Sequence, residues 1–263
     1  MKKAVTVLIL LIAIPALISC KLIKIEVSEK RNPSPQVLRL DKNVEVIATG
    51  ATKISKSDFF PSSFQIKWNG KLFYFDPIAI SDTHKVDYIF ISHAHLDHFS
   101  IRDIKRIAKP EAFIFCPKKV SKRLRDTDYH IKEVKPGYVF DLDAHIKIEA
   151  IEAYNLKPAL LWLKAHPKSK QNVGYILNIK GVRIYHAGDT EYIPEMEGLR
   201  NISLALVPIG GDNLTMDVKD ASRMVNRLKP AYVVPMHYEM NKRNDLEQFV
   251  KSIDKNIQVR ILE

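Results

Sequence analysis

The sequence predicts an α/β chain in which two β-sheets pack together and helices cover their outer faces. Three observations carry that prediction. Short apolar runs of strand length recur from residue 44 onward. Capped segments with helix-spaced apolar residues are interleaved among them. Asn69-Gly70 separates two alternating runs, Phe64–Trp68 and Lys71–Phe75, as a tight hairpin does. The 263 residues are 46% hydrophobic and 27% charged, which excludes disordered and collagen-like chains. Two cysteines, Cys20 and Cys116, cannot build a disulfide framework.

Taken in order, Val44–Ala48 reads as a strand, followed by the hairpin and a buried strand at Val86–Ile91. Ser100 caps a helix with Asp103 three residues on, and Ile101, Ile104 and Ile107 keep helical spacing. Ala112–Phe115 is a strand, and residues 118–125 form a basic helix or turn. His145–Ala153 alternates as a strand. Val173–Ile179, Lys180-Gly181 and Val182–Tyr185 form a second hairpin, and Leu204–Ile209 is another strand. Asp217 caps a helix whose inward face is Val218, Ala221, Met224, Val225 and Leu228, and Pro230 stops it. Ala231–Pro235 is a strand, 244–252 a helix, and Ile257–Leu262 a final strand. No internal repeat is visible.

The N-terminus has a different character. Met1-Lys2-Lys3 precedes an apolar stretch, Ala4–Ser19, broken only by Thr6 and Pro15. This is the pattern of a secretory signal and is short for a membrane span, which takes about 20 residues. Leu17-Ile18-Ser19-Cys20 resembles the bacterial lipoprotein signal, which implies that Cys20 becomes the lipidated N-terminus. The alternative is an uncleaved anchor helix. Either places the body outside the cytoplasm, in the cell envelope and tied to a membrane. The expected organisation is a signal peptide over 1–19, a tether over 20–36 and one domain over 37–263. Fully extended, the tether reaches roughly 50 Å.

The net charge of +11 suits a phosphate-bearing substrate, an anionic lipid surface or nucleic acid, or serves solubility alone. No basic patch interleaved with aromatics is present, so nucleic acid ranks last. No Gly-rich phosphate loop and no G-x-S-x-G elbow appears, which removes the main support for nucleotide binding and for a serine nucleophile.

The chemistry concentrates in Ser92-His93-Ala94-His95-Leu96-Asp97-His98, where three histidines and an aspartate fall within six residues behind a buried strand. In extended chain His93 and His95 point to the same side as a chelating pair. Asp97 and His98 can turn to a second metal. Imidazole and carboxylate together suit zinc, manganese or iron. Gly188 frees a turn that presents Asp189, and Val234-Pro235-Met236 ends a strand at His237.

HAHLDH, AGDT and PMHY, with Asp76 as an opening aspartate, resemble the metallo-β-lactamase superfamily. The AYN…HPK…VGY…GVRIYHAGDT stretch resembles its UlaG-like, metal-dependent hydrolase branch. The likeness runs from about residue 44 to 263. It implies a four-layer αββα sandwich of two mixed sheets and a pair of divalent ions, zinc first, with manganese or iron as alternatives. His93 and His95 would hold the first ion and Asp97, His98 and His237 the second, with Asp189 bridging and Asp76 orienting a ligand histidine. The family commonly supplies a third histidine to the first ion after the strand that here ends Glu152-Ala153-Tyr154-Asn155, where this chain has none. His166 is the nearest downstream candidate; Asn155, or no third ligand, remains open, and His145 opens its strand instead of ending it. His186 either supports the bridging aspartate or packs in the core.

The implied activity is hydrolysis of an ester, lactone or phosphodiester by a metal-activated hydroxide that Asp97 holds as the catalytic carboxylate. The rival is a non-catalytic, metal-stabilised binding lipoprotein. The substrate is expected to be a small molecule or lipid-like. Residues 156–171 bring Leu160-Leu161-Trp162-Leu163 and four lysines close to the expected site. They read either as a lid or membrane contact, or as a short helix packed into the body.

Overall fold

The computed structural model describes residues 24–81 and 83–263. The signal-like segment and Cys20 lie outside the described residues. In the N-terminal half the strands are β1 (Ile25–Val27), β2 (Val37–Arg39), β3 (Glu45–Ala48), β4 (Thr52–Ile54), β5 (Ser57–Phe60), β6 (Phe64–Trp68), β7 (Lys71–Phe75), β8 (Val86–Phe90), β9 (Ala108–Pro117) and β10 (His130–Val134). Helices α1 (Ile101–Ile107) and α2 (Lys118–Leu124) flank β9. The second half holds β11 (Val139–Asp143), β12 (Ile146–Glu152), β13 (Val173–Ile179), β14 (Val182–His186), β15 (Leu204–Pro208), β16 (Tyr232–Met236), β17 (Tyr238–Glu239) and β18 (Gln258–Val259). Helices α3 (Val218–Leu228) and α4 (Arg243–Ser252) lie between its last strands.

Two seven-stranded mixed sheets result, ordered β10-β9-β8-β7-β6-β3-β2 and β11-β12-β13-β14-β15-β16-β18. Their inner faces share one core, in which Phe64, Ile66, Phe73 and Phe75 join Ile148, Leu177, Ile184 and Leu206. Tyr175 crosses between the sheets: its hydroxyl donates to the carbonyls of Ile91 (2.9 Å) and Phe115 (3.1 Å). On the outer face of the first sheet, Ile104, Ile107, Val120 and Leu124 of α1 and α2 meet Ile89 and Ile114. Ala221, Met224, Leu246 and Phe249 of α3 and α4 are buried with the second sheet. The order is therefore helix, sheet, sheet, helix, as the sequence pattern predicts.

Local chemistry explains the elements. Asn69 and Gly70 both take positive φ (+50° and +76°), which the tight β6–β7 turn requires. Ser100 Oγ accepts from Asp103 N at the start of α1, and Asp217 Oδ1 accepts from Asp220 N at the start of α3. Cys116 is buried in β9, and burial pushes its thiol up to about 12, so it stays protonated. Among the described residues no helix is long and apolar enough to cross a membrane.

The structure adds β2, β10 and β11, which the sequence pattern does not predict, and differs from expectation in three further places. A third, small sheet of β1-β4-β5-β17 stands beside the sandwich; its strands have two to four residues, too few for a periodic signal. The final strand is two residues, not six. The tether expected over 20–36 is corrected from Ile25 onward. Ile25–Val27 pairs antiparallel with β4, Ser28 Oγ donates to Asp58 (2.6 Å), and the Arg31 guanidinium donates to the carbonyls of Ala51 (2.9 Å) and Ala79 (2.7 Å). The polar, Pro-containing composition of this stretch hides an anchoring arginine whose partners lie 20 and 48 residues away.

Candidate metal centre

The functional side chains gather at the carboxyl ends of strands, on one edge of the sandwich. Asp76 follows β7, the His93–His98 loop follows β8, Asn155 follows β12, Asp189 follows β14 and His237 follows β16. Two of these positions leave the ordinary backbone regions, with φ at +42° for Asp76 and +53° for His237. Glycines make room. Gly188 (φ +64°) turns the chain toward Asp189. At Gly210 an added Cβ would lie 2.4 Å from the His237 carbonyl, so only glycine lets that segment pass.

Seven donors converge in two groups: His93, His95 and His166, then Asp97, His98, Asp189 and His237. Within the first, His95 Nδ1 lies 3.1 Å from His93 Nε2 and 3.0 Å from His166 Nε2. Within the second, His237 Nε2 lies 3.1 Å from Asp189 Oδ2 and 3.3 Å from Asp97 Oδ2. Asp189 stands between the groups: Oδ1 is 3.2 Å from His98 Nε2, and Oδ2 is 3.8 Å from His93 Nε2 and 3.6 Å from His166 Nε2. A metal bound by each donor at about 2.0–2.1 Å spaces tetrahedral donors about 3.4 Å apart, so these edges are of the right length. Three buried atoms of the cluster residues have no well-formed hydrogen bond: His237 Nδ1, and the facing pair His98 Nε2 and Asp189 Oδ1. Buried polar atoms are rarely left so, and a cation between the facing pair satisfies both. The donor set fits a pair of divalent ions.

Supporting bonds fix the rings. Asp76 accepts from Ser92 N (2.7 Å), Ser92 Oγ (2.6 Å) and His98 Nδ1 (2.7 Å), which turns His98 Nε2 into the cluster. Asn155 is not among the converging donors. Its Oδ1 accepts from the His166 backbone N–H (2.9 Å) and from Nδ1 (2.8 Å), and its Nδ2 donates to Leu214 O (3.0 Å). The residue standing where a histidine was expected therefore aims the histidine that replaces it. His186 is displaced from the supporting role beside Asp189. Its Nε2 donates to Ser62 O (2.8 Å) and its ring stacks on Phe75 at 4.9 Å, because it is still within β14 and faces the core. His145 lies against Trp68 at 6.4 Å, away from the cluster.

Burial and charge divide the histidines. Burial holds His93 well below 6.5 and brings His166 to about 4, so both are neutral and ready to ligate. Burial also lowers His98 and His237, but carboxylates outweigh it. Asp189, Asp97 and Asp76 raise His98 well above 6.5, and Asp189 with Asp97 raises His237 to about 9. In return His98 and His237 overcome burial at Asp97, holding it at about 2, and at Asp189, held well below the carboxylate range.

His95 is exposed and Asp97 half-buried, so the centre opens on their side. A cavity of about 430 Å³ lies there, lined by Ile25, Ile54, Leu96 and Lys119 together with His95 and Asp97. Ile25 and Ile54 come from the small sheet, which is why sequence reading missed this wall. A larger cavity of about 700 Å³ lies among the amino ends of β14 and β16, lined by Val182, Lys229 and Tyr232. It holds no group of metal donors, so the smaller cavity is the one that bears on the chemistry.

Residues 61–238 match the family model described as beta-lactamase superfamily domain. The chain belongs to that family. A UPF0173 metal-dependent hydrolase of Thermococcus onnurineus is 34% identical over 190 residues, covering 68% of this chain and 80% of the relative. A crystal structure of a candidate metal-dependent hydrolase from Parabacteroides distasonis superposes on this beta-lactamase superfamily chain with a TM-score of 0.71. It is 30% identical and covers 88% of this chain and 98% of its own. A metallo hydrolase from Ignicoccus hospitalis gives 0.62 at 25% identity, over 78% and 93% of the two chains. The two-layered sandwich of mixed sheets and the donors at its edge are thus set in a metallo-β-lactamase fold.

Proposed function

We propose that this chain is a metal-dependent hydrolase of an ester, lactone or phosphodiester, held at the cell envelope by its N-terminal segment. The observation that carries the reading is the convergence of His93, His95 and His166, and of Asp97, His98 and His237, on opposite sides of Asp189. When bound there, a pair of divalent ions supplies an acidified water and positive charge for the substrate oxygens. The chain's residues do the rest. Asp97, ionised and half-buried beside the cavity, accepts a hydrogen bond from the attacking water, takes its proton as the new bond forms, and returns it to the departing oxygen as the ester, lactone or phosphodiester bond breaks. His237 Nε2, 3.3 Å from Asp97 Oδ2, would share an ion with that carboxylate and so keep it in place. Asp76 keeps His98 in one tautomer. Ile25, Ile54 and Leu96 shield one wall from water, while Lys119 offers a positive charge to an anionic part of the substrate.

The rival reading, a binding lipoprotein without catalysis, drew on the lack of a histidine at position 155. The position of His166 Nε2, 3.0 Å from His95 Nδ1, supports His166 in that place and weighs against the rival. The test is elemental analysis of the full chain as purified, followed by a screen of ester, lactone and phosphodiester substrates. About two equivalents of metal are expected on the ligand count, falling in His93→Ala, with turnover that Asp97→Asn abolishes. Full metal content with no turnover on any substrate class returns the binding reading, and near-native turnover in Asp97→Asn removes the role given to that residue.

A further inference from the structure

Between Asn155 and His166 the chain leaves the body as a short antiparallel turn. Leu163 N donates to Leu160 O, and Ala159 N donates to Leu163 O, both at 2.8 Å. At its tip Leu160, Leu161, Trp162 and Leu163 are 67%, 72%, 79% and 57% exposed. The packed helix that the sequence also allowed is thereby overturned. Among the described residues no other run bares four successive large apolar side chains. The stem is tied down: Glu191 Oε2 accepts from Leu156 N (2.7 Å) and Lys157 N (3.0 Å), and Asn213 Nδ2 donates to Pro158 O (3.1 Å). The apolar tip is therefore held out from the surface instead of folding onto it.

Its surroundings specify what covers it. Residues 156–171 contain four lysines and no acid. Lys157 and Lys168 are paired with Asp220 and Glu195, which leaves Lys164, next in the chain to the tip, and Lys170, beyond the loop's base, exposed. Leu96, Leu156 and Leu214, on the segments that carry or support metal donors, are exposed as well. Ile25, two residues into the described chain, lines the mouth of the metal centre with His95. The described chain thus begins beside the mouth of the centre. A protein partner needs about 800 Å² per side for a stable interface, more than a four-residue projecting tip offers. A bilayer accepts such a knob, with Trp and Leu at the boundary of headgroups and acyl chains and lysines against anionic headgroups.

We propose that this face docks on an anionic lipid bilayer, with Leu160–Leu163 inserted and the metal centre's mouth turned toward the membrane. A consequence resting on the hydrolase reading is that the substrate is amphiphilic and is taken from the lipid phase. The docking itself is read without turnover, so the two ideas fail separately. The chain has two tryptophans, and Trp68 is 7% exposed with its Nε1 donating to Lys42 O. Changes in emission therefore report Trp162.

The experiment places the full chain on vesicles of phosphatidylcholine and phosphatidylglycerol, with and without brominated acyl chains. Trp162 emission is expected to move to shorter wavelength and to be quenched by the brominated lipid, more strongly with phosphatidylglycerol than with phosphatidylcholine alone. Leu160→Asn/Leu161→Asn/Leu163→Asn should abolish the quenching, and Trp162→Phe should leave emission that no vesicle alters. Vesicle-bound chain whose Trp162 stays open to aqueous acrylamide overturns the proposal. So does a blue shift that appears without lipid and grows with protein concentration, which would assign the tip to a second copy.

Discussion

Replacing Asn155 with alanine separates the two ways in which position 155 can serve the first metal. Asn155 Oδ1 accepts two bonds from His166, and Nδ2 satisfies Leu214 O. In Asn155→Ala the buried His166 backbone N–H loses its partner, at a cost of about 1–3 kcal/mol in stability. The imidazole keeps one partner, Leu214 O at 3.1 Å from Nδ1, so the ring is loosened but not freed. Loss of a bond that orients a ligand weakens metal binding by about 10–100-fold, or about 1.4–2.7 kcal/mol. His166→Ala removes Nε2 itself and should weaken the first metal further still. Metal titration against a chromophoric chelator measures both variants, with thermal unfolding of the metal-free forms alongside. The order of affinity should be wild type, then Asn155→Ala, then His166→Ala. If His166→Ala binds as the wild type does while Asn155→Ala loses the metal, Asn155 is the ligand and the reasoning is refuted.

Three other outcomes follow from the same geometry. For the chelated protein, His98 and His237 have raised folded pKa values, so their stabilisation is present below 6.5; that of His237 is lost as pH rises through about 9, and that of His98 as pH rises through its own raised value. His166, lowered to about 4, has the opposite sign and gives up its stabilisation as pH falls from 6.5 toward 4. The melting temperature of the metal-free protein should therefore peak near pH 6.5–7, and a steady rise to pH 9 would contradict this. Asp76→Asn should lower affinity for the second metal by about 10–100-fold while sparing the first, read in the same chelator titration. Gly210→Ala sets a Cβ against the His237 carbonyl and should cost about 1–3 kcal/mol in urea unfolding, together with metal at the Asp97–His237 group.

How far the sequence disclosed this site depends on how local each signal is. HAHLDH and AGDT are legible because their donors are neighbours on loops that directly follow strands. The β6–β7 hairpin and the caps at Ser100 and Asp217 are legible because their chemistry is complete within three or four residues. Asn155 as the support of His166 was hidden, since the bond spans eleven residues of an excursion with no periodicity. The Ile25–Ile54 wall was hidden because three-residue strands carry no pattern and their pairing is non-local. The exposure of Leu160–Leu163 was also out of reach: an apolar run has the same sequence whether it is covered or bare.

The loop that bares the tip also carries His166, one of the candidate metal donors, and its bonding separates the two tasks. Asn155 N donates to His166 O (2.8 Å) and His166 N donates to Asn155 Oδ1, closing the loop at its base. Above that closure, Glu191 Oε2 holds the N–H groups of Leu156 and Lys157. Every bond that positions His166 thus lies between the tip and the body, and none passes through Leu160–Leu163. Leu160→Asn/Leu161→Asn/Leu163→Asn should accordingly bind metal as the wild type does while losing its hold on lipid. Glu191→Ala leaves two backbone donors without their acceptor, costing about 1–3 kcal/mol each if they stay dry. It should weaken the first metal while Trp162, on a stem that Asn213 still holds at Pro158, inserts into vesicles. If instead the tip variant alone loses metal, His166 is being held by the apolar cluster and not by the stem, and the division of labour within this loop is wrong.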